Sequence, residues 1–186
     1  MGELTFDELD GQFTPRSIAV TDSGDVVVFA SGRVYRFTSS GHLVGWWGQP
    51  FQFSARGGIA VDVDGHVFGI TGQWSRREPP IVKFDATGRQ LASWGERGQG
   101  RGQLFDPIAL AVDGAGRVYV ADWDFLNPRV MIFDANGTFV DQWDVRGGTA
   151  PGLRRPNGLA VNPQGLVYLT DHQSPRLHKL GPVAAR

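Results

Sequence analysis

The four histidines are the residues of this chain best suited to hold a metal ion. His42 and His66 follow glycine-containing turns, whereas His172 and His178 lie near the C-terminus. A zinc site gathers three or four His, Cys or carboxylate ligands. The histidines are scattered and the sequence contains no cysteine, which also excludes disulfides and thiol nucleophiles. We therefore expect no metal site and no cofactor.

Two aspartates, Asp122 and Asp171, follow apolar runs at equivalent places in the sequence. Paired carboxylates can perform acid–base catalysis. An aspartate at the end of a strand more often accepts hydrogen bonds from backbone N–H groups and so caps a turn. Because Ala30 and Thr71 occupy the same place elsewhere in the chain, we expect turn capping.

A glycine-rich segment, GERGQGRG at residues 95–102, superficially resembles a phosphate-binding loop. A P-loop ends in Lys followed by Ser or Thr and opens a helix. Neither feature follows here, and the sequence contains no G-x-S-x-G or H-E-x-x-H motif. The segment is better explained as a linker.

Arginines and aromatic residues recur together in the longest irregular segments. This combination is typical of interaction hot spots, and binding residues concentrate on loops held by a rigid scaffold. Acidic residues in the same segments offer the alternative of local ion pairs. The candidate binding residues are Trp74, Arg76, Arg77, Arg97, Arg101, Trp123, Phe125, Arg154 and Arg155.

The elements that position these loops form a repeat. A short apolar run, IAV or LAV, occurs at residues 18–20, 59–61, 110–112 and 159–161. A glycine follows each closing valine by four residues and suits a tight hairpin turn. Second, third and fourth strands are predicted after it, except that the last unit ends after its third. Several strands are apolar on both faces and need cover on both sides. The sequence therefore predicts an all-β fold, a β-propeller of four four-stranded antiparallel blades.

The third unit carries GQLFDP at residues 102–107, LAVD at 110–113, RVYVAD at 117–122 and RVMIFD at 129–134. These motifs closely resemble the NHL repeat, and the resemblance extends over nearly the whole chain. It implies one propeller domain over residues 1–186. The expected blades cover about residues 11–48, 49–99, 100–148 and 149–186.

NHL propellers commonly have six blades, whereas this sequence has four first strands. The last unit lacks a fourth strand, and residues 2–10 resemble residues 137–144 in their spacing. Two arrangements remain open: a small closed ring in which residues 2–10 supply the missing strand, and an open arc of a larger propeller. If the ring is not closed within the chain, we expect either a homodimer or dependence on a missing partner.

Resemblance to NHL-type amidoglycolate lyases and to gluconolactonases directs attention to the start of each first strand, which faces the propeller channel. These channel-lining positions are Arg16, Gly57, Ile108 and Asn157. None is a histidine, and only Asn157 resembles a metal ligand of gluconolactonases. The partners for such a site are missing.

We therefore expect a non-catalytic scaffold that binds a protein, peptide or glycan through its Arg/Trp loop face. The alternatives are a propeller lyase or hydrolase, or a remnant of one, and an RNA-binding NHL module. The net charge of −1 argues against nucleic acid and against an anionic membrane as partners. The first ten residues are acidic without a long apolar run, so we expect no signal peptide. The compartment stays open: the default is cytoplasmic unless the chain is a fragment.

Overall fold

A computed structural model describes residues 14–48, 58–71, 79–144, 146 and 148–181. All regular structure in these residues is β-strand, as the apolar runs of β-branched and aromatic residues predicted. The strands form four antiparallel sheets arranged as a four-bladed β-propeller, and the predicted fold class is thereby confirmed. Within these residues, no helix has the length and apolar character needed to cross a membrane.

Each blade is a meander in which neighbouring strands pair in chain order. Blade 1 contains β1 (Pro15–Val20), β2 (Val26–Ala30), β3 (Arg33–Phe37) and β4 (Leu43–Trp47). Blade 2 contains β5 (Ile59–Val61), β6 (Val67–Ile70), β7 (Ile81–Phe84) and β8 (Gln90–Trp94). Blade 3 contains β11 (Pro107–Val112), β12 (Val118–Asp122), β13 (Arg129–Phe133) and β14 (Phe139–Asp144). The described part of blade 4 contains β15 (Pro156–Val161), β16 (Val167–Asp171) and β17 (Leu177–Leu180).

The hairpin turns follow one design, which blade 3 shows clearly. One carboxylate oxygen of Asp113 accepts hydrogen bonds from the backbone N–H groups of Ala115 and Arg117, both at 2.9 Å. Gly116 adopts a φ of 77°, which a residue without Cβ reaches at low cost. Asn162 makes the same pair of bonds to Gln164 and Leu166. The side-chain oxygens of Asp113 and Asn162 therefore stabilise the turns in which these residues lie.

Apolar side chains fill the spaces between successive blades. One buried cluster joins blades 1 and 2 through Phe29 and Ile59, a second joins blades 2 and 3, and a third joins blades 3 and 4 through Tyr119 and Leu169. The first strands lie side by side, β1 next to β5, β5 next to β11, and β11 next to β15. Every residue of β12 and β13 is buried, so blade 3 is the most enclosed part of the array.

A tryptophan near the end of an outer strand packs on a glycine of the next blade. A Cβ atom added to Gly88 would lie 2.5 Å from the Trp47 ring, and one added to Gly137 would lie 2.4 Å from the Trp94 ring. Only glycine leaves room for this approach. Trp47 and Trp94 therefore pack between successive blades.

The segment at residues 95–102 belongs to a small parallel sheet that the sequence did not reveal. It pairs β9 (Glu96–Arg97) with β10 (Gln103–Leu104) between blades 2 and 3. The proposed closing strand at residues 2–10 lies outside the described residues.

Candidate functional site

The loops between second and third strands lie on the same face as the segments that lead into the blades. The backbone N–H of Trp123 donates to the carbonyl of Asp106 at 2.9 Å, and that of His172 donates to the carbonyl of Arg155 at 2.8 Å. These bonds tie each loop to the incoming segment of its own blade. The loop face expected from the strand order is therefore present at blades 3 and 4.

Five residues on this face form what we call the aromatic loop cluster: Phe105, Trp123, Phe125, Leu126 and Arg155. The Arg155 guanidinium lies 4.6 Å from the centroid of the Trp123 ring, in a cation–π arrangement. The rings of Phe105 and Phe125 meet edge to face with centroids 6.4 Å apart. Phe125 is 66 % exposed and Leu126 is also exposed. The cluster therefore presents apolar side chains to solvent beside a cation.

The loop that carries these side chains is held by a buried aspartate. Asp124 accepts a hydrogen bond from the backbone N–H of Leu126 at 2.9 Å, and its carbonyl accepts one from Asn127 at 3.0 Å. The Asn127 side chain accepts a bond from the backbone N–H of Arg146 at 3.3 Å. These local bonds fix the backbone beneath Phe125 and Leu126, so little conformational entropy remains to be lost on binding.

A buried ion pair between Asp122 and Arg129, which flank the same loop, stabilises it. Arg129 Nε donates to Asp122 at 2.9 Å, and both side chains are fully buried. Asp122 also accepts bonds from the backbone N–H groups of Phe105 and Asp106. The remaining guanidinium nitrogens bind the carbonyls of Gln99, Gly98 and Gln103. Asp122 thus caps a turn, as expected, and Arg129 is the anchoring residue that sequence reasoning missed.

Burial raises the pKa of Asp122, while the backbone N–H of Phe105 and the Arg129 guanidinium oppose that rise. Every oxygen of this carboxylate faces a donor within the blade. The Asp122 carboxylate therefore has a structural role, because it is fully buried and cannot contact a substrate.

Asp171 plays the same part in blade 4. It accepts bonds from the backbone N–H groups of Arg154 at 2.7 Å, Arg155 at 3.1 Å and Gln173 at 2.8 Å. Burial raises the pKa of Asp171, but these backbone donors outweigh it and leave the pKa below its ordinary value. The predicted capping role is confirmed here too, and through it Asp171 positions the Arg155 side chain over Trp123.

The other candidate residues divide into two groups. Arg101 lies against outer strand β14, with its guanidinium 5.4 Å from the Phe139 ring centroid and 4.0 Å from Asp141. Arg97 lies in β9, and Arg154 is exposed on the segment before β15. Trp74, Arg76 and Arg77 lie outside the described residues. The structure therefore brings Arg155 onto Trp123, carries Phe125 on the same loop as Trp123, and places Arg101 elsewhere.

The positions expected to line the channel coincide with irregularities in strand pairing. The registers of β1, β11 and β15 shift beside Arg16, Ile108 and Asn157, respectively. A β-bulge re-aims the side chain of the extra residue. Arg16 and Asn157 are exposed, whereas Ile108 is half-buried against the cluster between blades 3 and 4. Gly57 lies outside the described residues. The three described positions supply no carboxylate or histidine.

Asp62, Asp64 and His66 bring three potential ligand atoms within 4.8 Å of one another. One Asp62 oxygen accepts bonds from the backbone N–H groups of Asp64 and His66, as in the other turns. His66 Nδ1 and Lys83 Nζ lie 2.9 and 3.8 Å from the second oxygen. The nearby ammonium group opposes a bound cation, so we assign this cluster to the turn.

Several solved structures share this fold. The nidogen/laminin complex matches with a TM-score of 0.66 at 20 % identity, over 91 % of this chain and 61 % of that chain. A catalytically inactive virginiamycin B lyase from Staphylococcus aureus, solved with quinupristin, matches with a TM-score of 0.64 at 13 % identity, over 92 % and 54 %. A protein proposed to be a gluconolactonase matches with a TM-score of 0.62 at 15 % identity, over 95 % and 62 %.

These identities establish the propeller fold alone. The chain spans less than two thirds of the length of each of these proteins. The sequence matches no protein-family profile. No curated protein sequence is significantly similar to it. The neighbours include both a binding protein and enzymes, so the shared fold does not distinguish binding from catalysis.

Proposed function

We propose that this propeller is a non-catalytic scaffold that binds a peptide or protein segment through the aromatic loop cluster. The observation that carries the proposal is the exposure of Phe125 and Leu126 on a backbone fixed by buried Asp124. Apolar anchors on a rigid loop lose little entropy on binding and are typical of hot spots. NHL-like repeats, which serve as interaction modules in the family they resemble, agree with this role.

The chemistry of the cluster favours a partner with an apolar side chain next to an acidic group. The apolar group would cover Phe125 and Leu126, and the acidic group would meet Arg155 where it lies over Trp123. A guanidinium held against an aromatic ring keeps its outer edge free for bidentate contact with a carboxylate. The nidogen/laminin neighbour, itself a protein complex, is compatible with a peptide or protein as the ligand.

A random-peptide phage library selected on the intact protein tests the proposal. We expect selected peptides to be rich in aromatic or aliphatic residues beside Asp or Glu. The double substitution Phe125→Ser, Leu126→Ser should weaken their binding at least about tenfold, because loss of a hot-spot side chain costs about 2 kcal/mol or more. Surface plasmon resonance measures the difference.

Leu91→Ser is the matched control, because Leu91 is an exposed leucine on the outer strand of blade 2. It should leave peptide affinity unchanged. If the selected peptides bind the Phe125/Leu126 variant as tightly as the original protein, the aromatic loop cluster is not the binding site. Selection of glycans from an array, with no peptide enriched, would also overturn the proposal.

A further inference from the structure

Blade 4 is a basic part of an otherwise acidic chain. Between residues 148 and 181 the sequence has one acidic residue, Asp171, and four basic ones, Arg154, Arg155, Arg176 and Lys179. The whole chain carries a net charge of −1, so the remaining residues are acidic on balance. The basic residues of blade 4 therefore create a local positive potential that the net charge does not show.

The arginines of blade 4 differ from many basic residues of the other blades because they lack an acidic partner. Ion pairs in the other blades join Arg36 to Asp25, Arg117 to Asp113, and Arg129 to Asp122. Within the part of the chain that the structure describes, none of Arg154, Arg155 and Arg176 forms an ion pair. Asp171 is buried, and three backbone N–H groups donate to it. The charges of the three arginines are therefore available to a ligand.

Local contacts place these arginines next to the aromatic loop cluster. Asp171 accepts hydrogen bonds from the backbone N–H groups of Arg154 at 2.7 Å and Arg155 at 3.1 Å, which fixes the segment that carries both. A Cβ atom added to Gly152 would lie 3.3 Å from Arg176 Nη1, so this guanidinium lies beside the same segment. Arg155 is itself a member of the cluster. The positive charge therefore begins at the cluster and continues onto blade 4.

We propose that the peptide bound by the aromatic loop cluster carries a run of acidic residues beside its apolar residue, and that this run lies along Arg155, Arg154 and Arg176. The inference rests on the proposed function, because Phe125 and Leu126 hold the apolar residue. It extends the partner's chemistry from one acidic group to an acidic segment. Guanidinium groups bind carboxylates through paired hydrogen bonds, and complementary charge also accelerates encounter.

The aromatic residues favour a peptide over a nucleic acid, although the arginines would also attract phosphate groups. Single-stranded nucleic acids bind through bases that stack on aromatic faces. Arg155 lies over the Trp123 ring, and the Phe125 ring already meets Phe105 edge to face. Leu126 has no ring on which a base can stack. The exposed apolar groups therefore suit a peptide side chain better than successive bases.

Two dye-labelled peptides test the inference on the intact protein by fluorescence anisotropy. Both contain phenylalanine, leucine and aspartate in that order, followed by a run of glutamates in one peptide and of glutamines in the other. We expect the glutamate peptide to bind about fivefold to tenfold more tightly at low ionic strength, as a few exposed ion pairs provide. Sodium chloride should reduce this difference, because salt screens exposed charges. Peptides of reversed sequence test the opposite chain direction.

The double substitution Arg154→Gln, Arg176→Gln should make the two peptides bind alike, with the affinity of the glutamine peptide. Arg89→Gln, Lys179→Gln is the matched control. It removes the same charge from an exposed arginine in a blade 2 turn and an exposed lysine of β17. This control should keep the preference for glutamates. Circular dichroism melting verifies that both variants fold.

The outcomes separate this inference from the proposed function. Equal affinity of the original protein for the two peptides would overturn the acidic segment and leave the aromatic loop cluster as the binding site. Failure of the glutamate peptide to bind would also overturn it. Binding that Arg154→Gln, Arg176→Gln weakens but Phe125→Ser, Leu126→Ser does not would support the basic surface and count against the apolar anchor. An oligothymidylate that displaces the glutamate peptide and binds more tightly would assign the surface to nucleic acid instead.

Discussion

At the scale of single residues, buried carboxylates with backbone donors hold the loops in place. Asp171 binds three backbone N–H groups, and its pKa lies below its ordinary value. The folded protein therefore keeps this group ionised to lower pH than the unfolded chain does. The stability it contributes is present above the ordinary carboxyl pKa of about 3.9 and is lost as pH falls through the lower pKa of the folded state.

Asp171→Asn should therefore be less stable than the original protein at neutral pH, by roughly 1–3 kcal/mol, because hydrogen bonds to a charged acceptor are lost. The difference should narrow as pH falls below the ordinary carboxyl pKa and through the lower pKa of the folded state, where the original protein loses its own contribution. Urea denaturation followed by tryptophan fluorescence at several pH values measures this. Asp64→Asn, at an exposed aspartate, is the control. A difference that is constant with pH would contradict this role.

At the scale of elements, the order of the strands could be predicted from the sequence, because turn glycines and apolar runs lie within or next to the strands they define. The second and third strands predicted after each turn glycine are present, in blade 2 as β6 and β7. The short parallel pair of β9 and β10 escaped prediction, because parallel pairing joins residues through contacts that have no periodic signature. The Arg129 anchor was also missed, since only its spatial position beneath residues 98–103 identifies it.

The candidate site was predictable only in part. Trp123, Phe125 and Arg155 were identified because arginine and aromatic residues stand out in irregular segments. The separation of these residues from Arg101 was not predicted, because the sequence does not show that the 95–102 segment turns towards β14. In the sequence, Phe105 belongs to the segment before a first strand. Its contact with Phe125 could not be predicted, because it forms only when the loop folds.

Blade stacking depends on glycines that admit a tryptophan from the preceding blade. Gly137 has a φ of 87°, and a Cβ there would lie 2.4 Å from the Trp94 ring. Gly65 has a similar φ of 80°, but a Cβ there would meet nothing within 4 Å. Gly65→Ala therefore measures backbone strain alone, about 1 kcal/mol. Gly137→Ala should cost distinctly more, since Trp94 must also move. Equal losses in thermal denaturation would show that the tryptophan contact does not constrain stacking.

At the scale of the whole molecule, blades 2 and 3 each have a blade on either side, and blade 3 is the more enclosed because every residue of β12 and β13 is buried. Val118 is fully buried in the cluster between blades 2 and 3. Val118→Asp places a carboxyl group without a partner there. Even in its neutral form, a polar group buried without a hydrogen bond costs on the order of 2–7 kcal/mol. That approaches a domain's net stability of roughly 5–15 kcal/mol. Val63→Asp, at an exposed valine, should be nearly neutral. Circular dichroism melting that shows no difference between the two would contradict the burial of Val118.

Repeat arrays are stabilised by each repeat together with its nearest neighbours, so protection from hydrogen exchange should follow enclosure. Strands β12 and β13 are buried at every residue. In β1, exposed and partly buried residues alternate, and β17 is exposed at Leu177. Amides of β12 and β13 should therefore exchange most slowly, and those of β1 and β17 sooner. Hydrogen–deuterium exchange mass spectrometry at low protein concentration measures this order. The same slow exchange in all four strands at low concentration would mean that the array opens as a single cooperative unit.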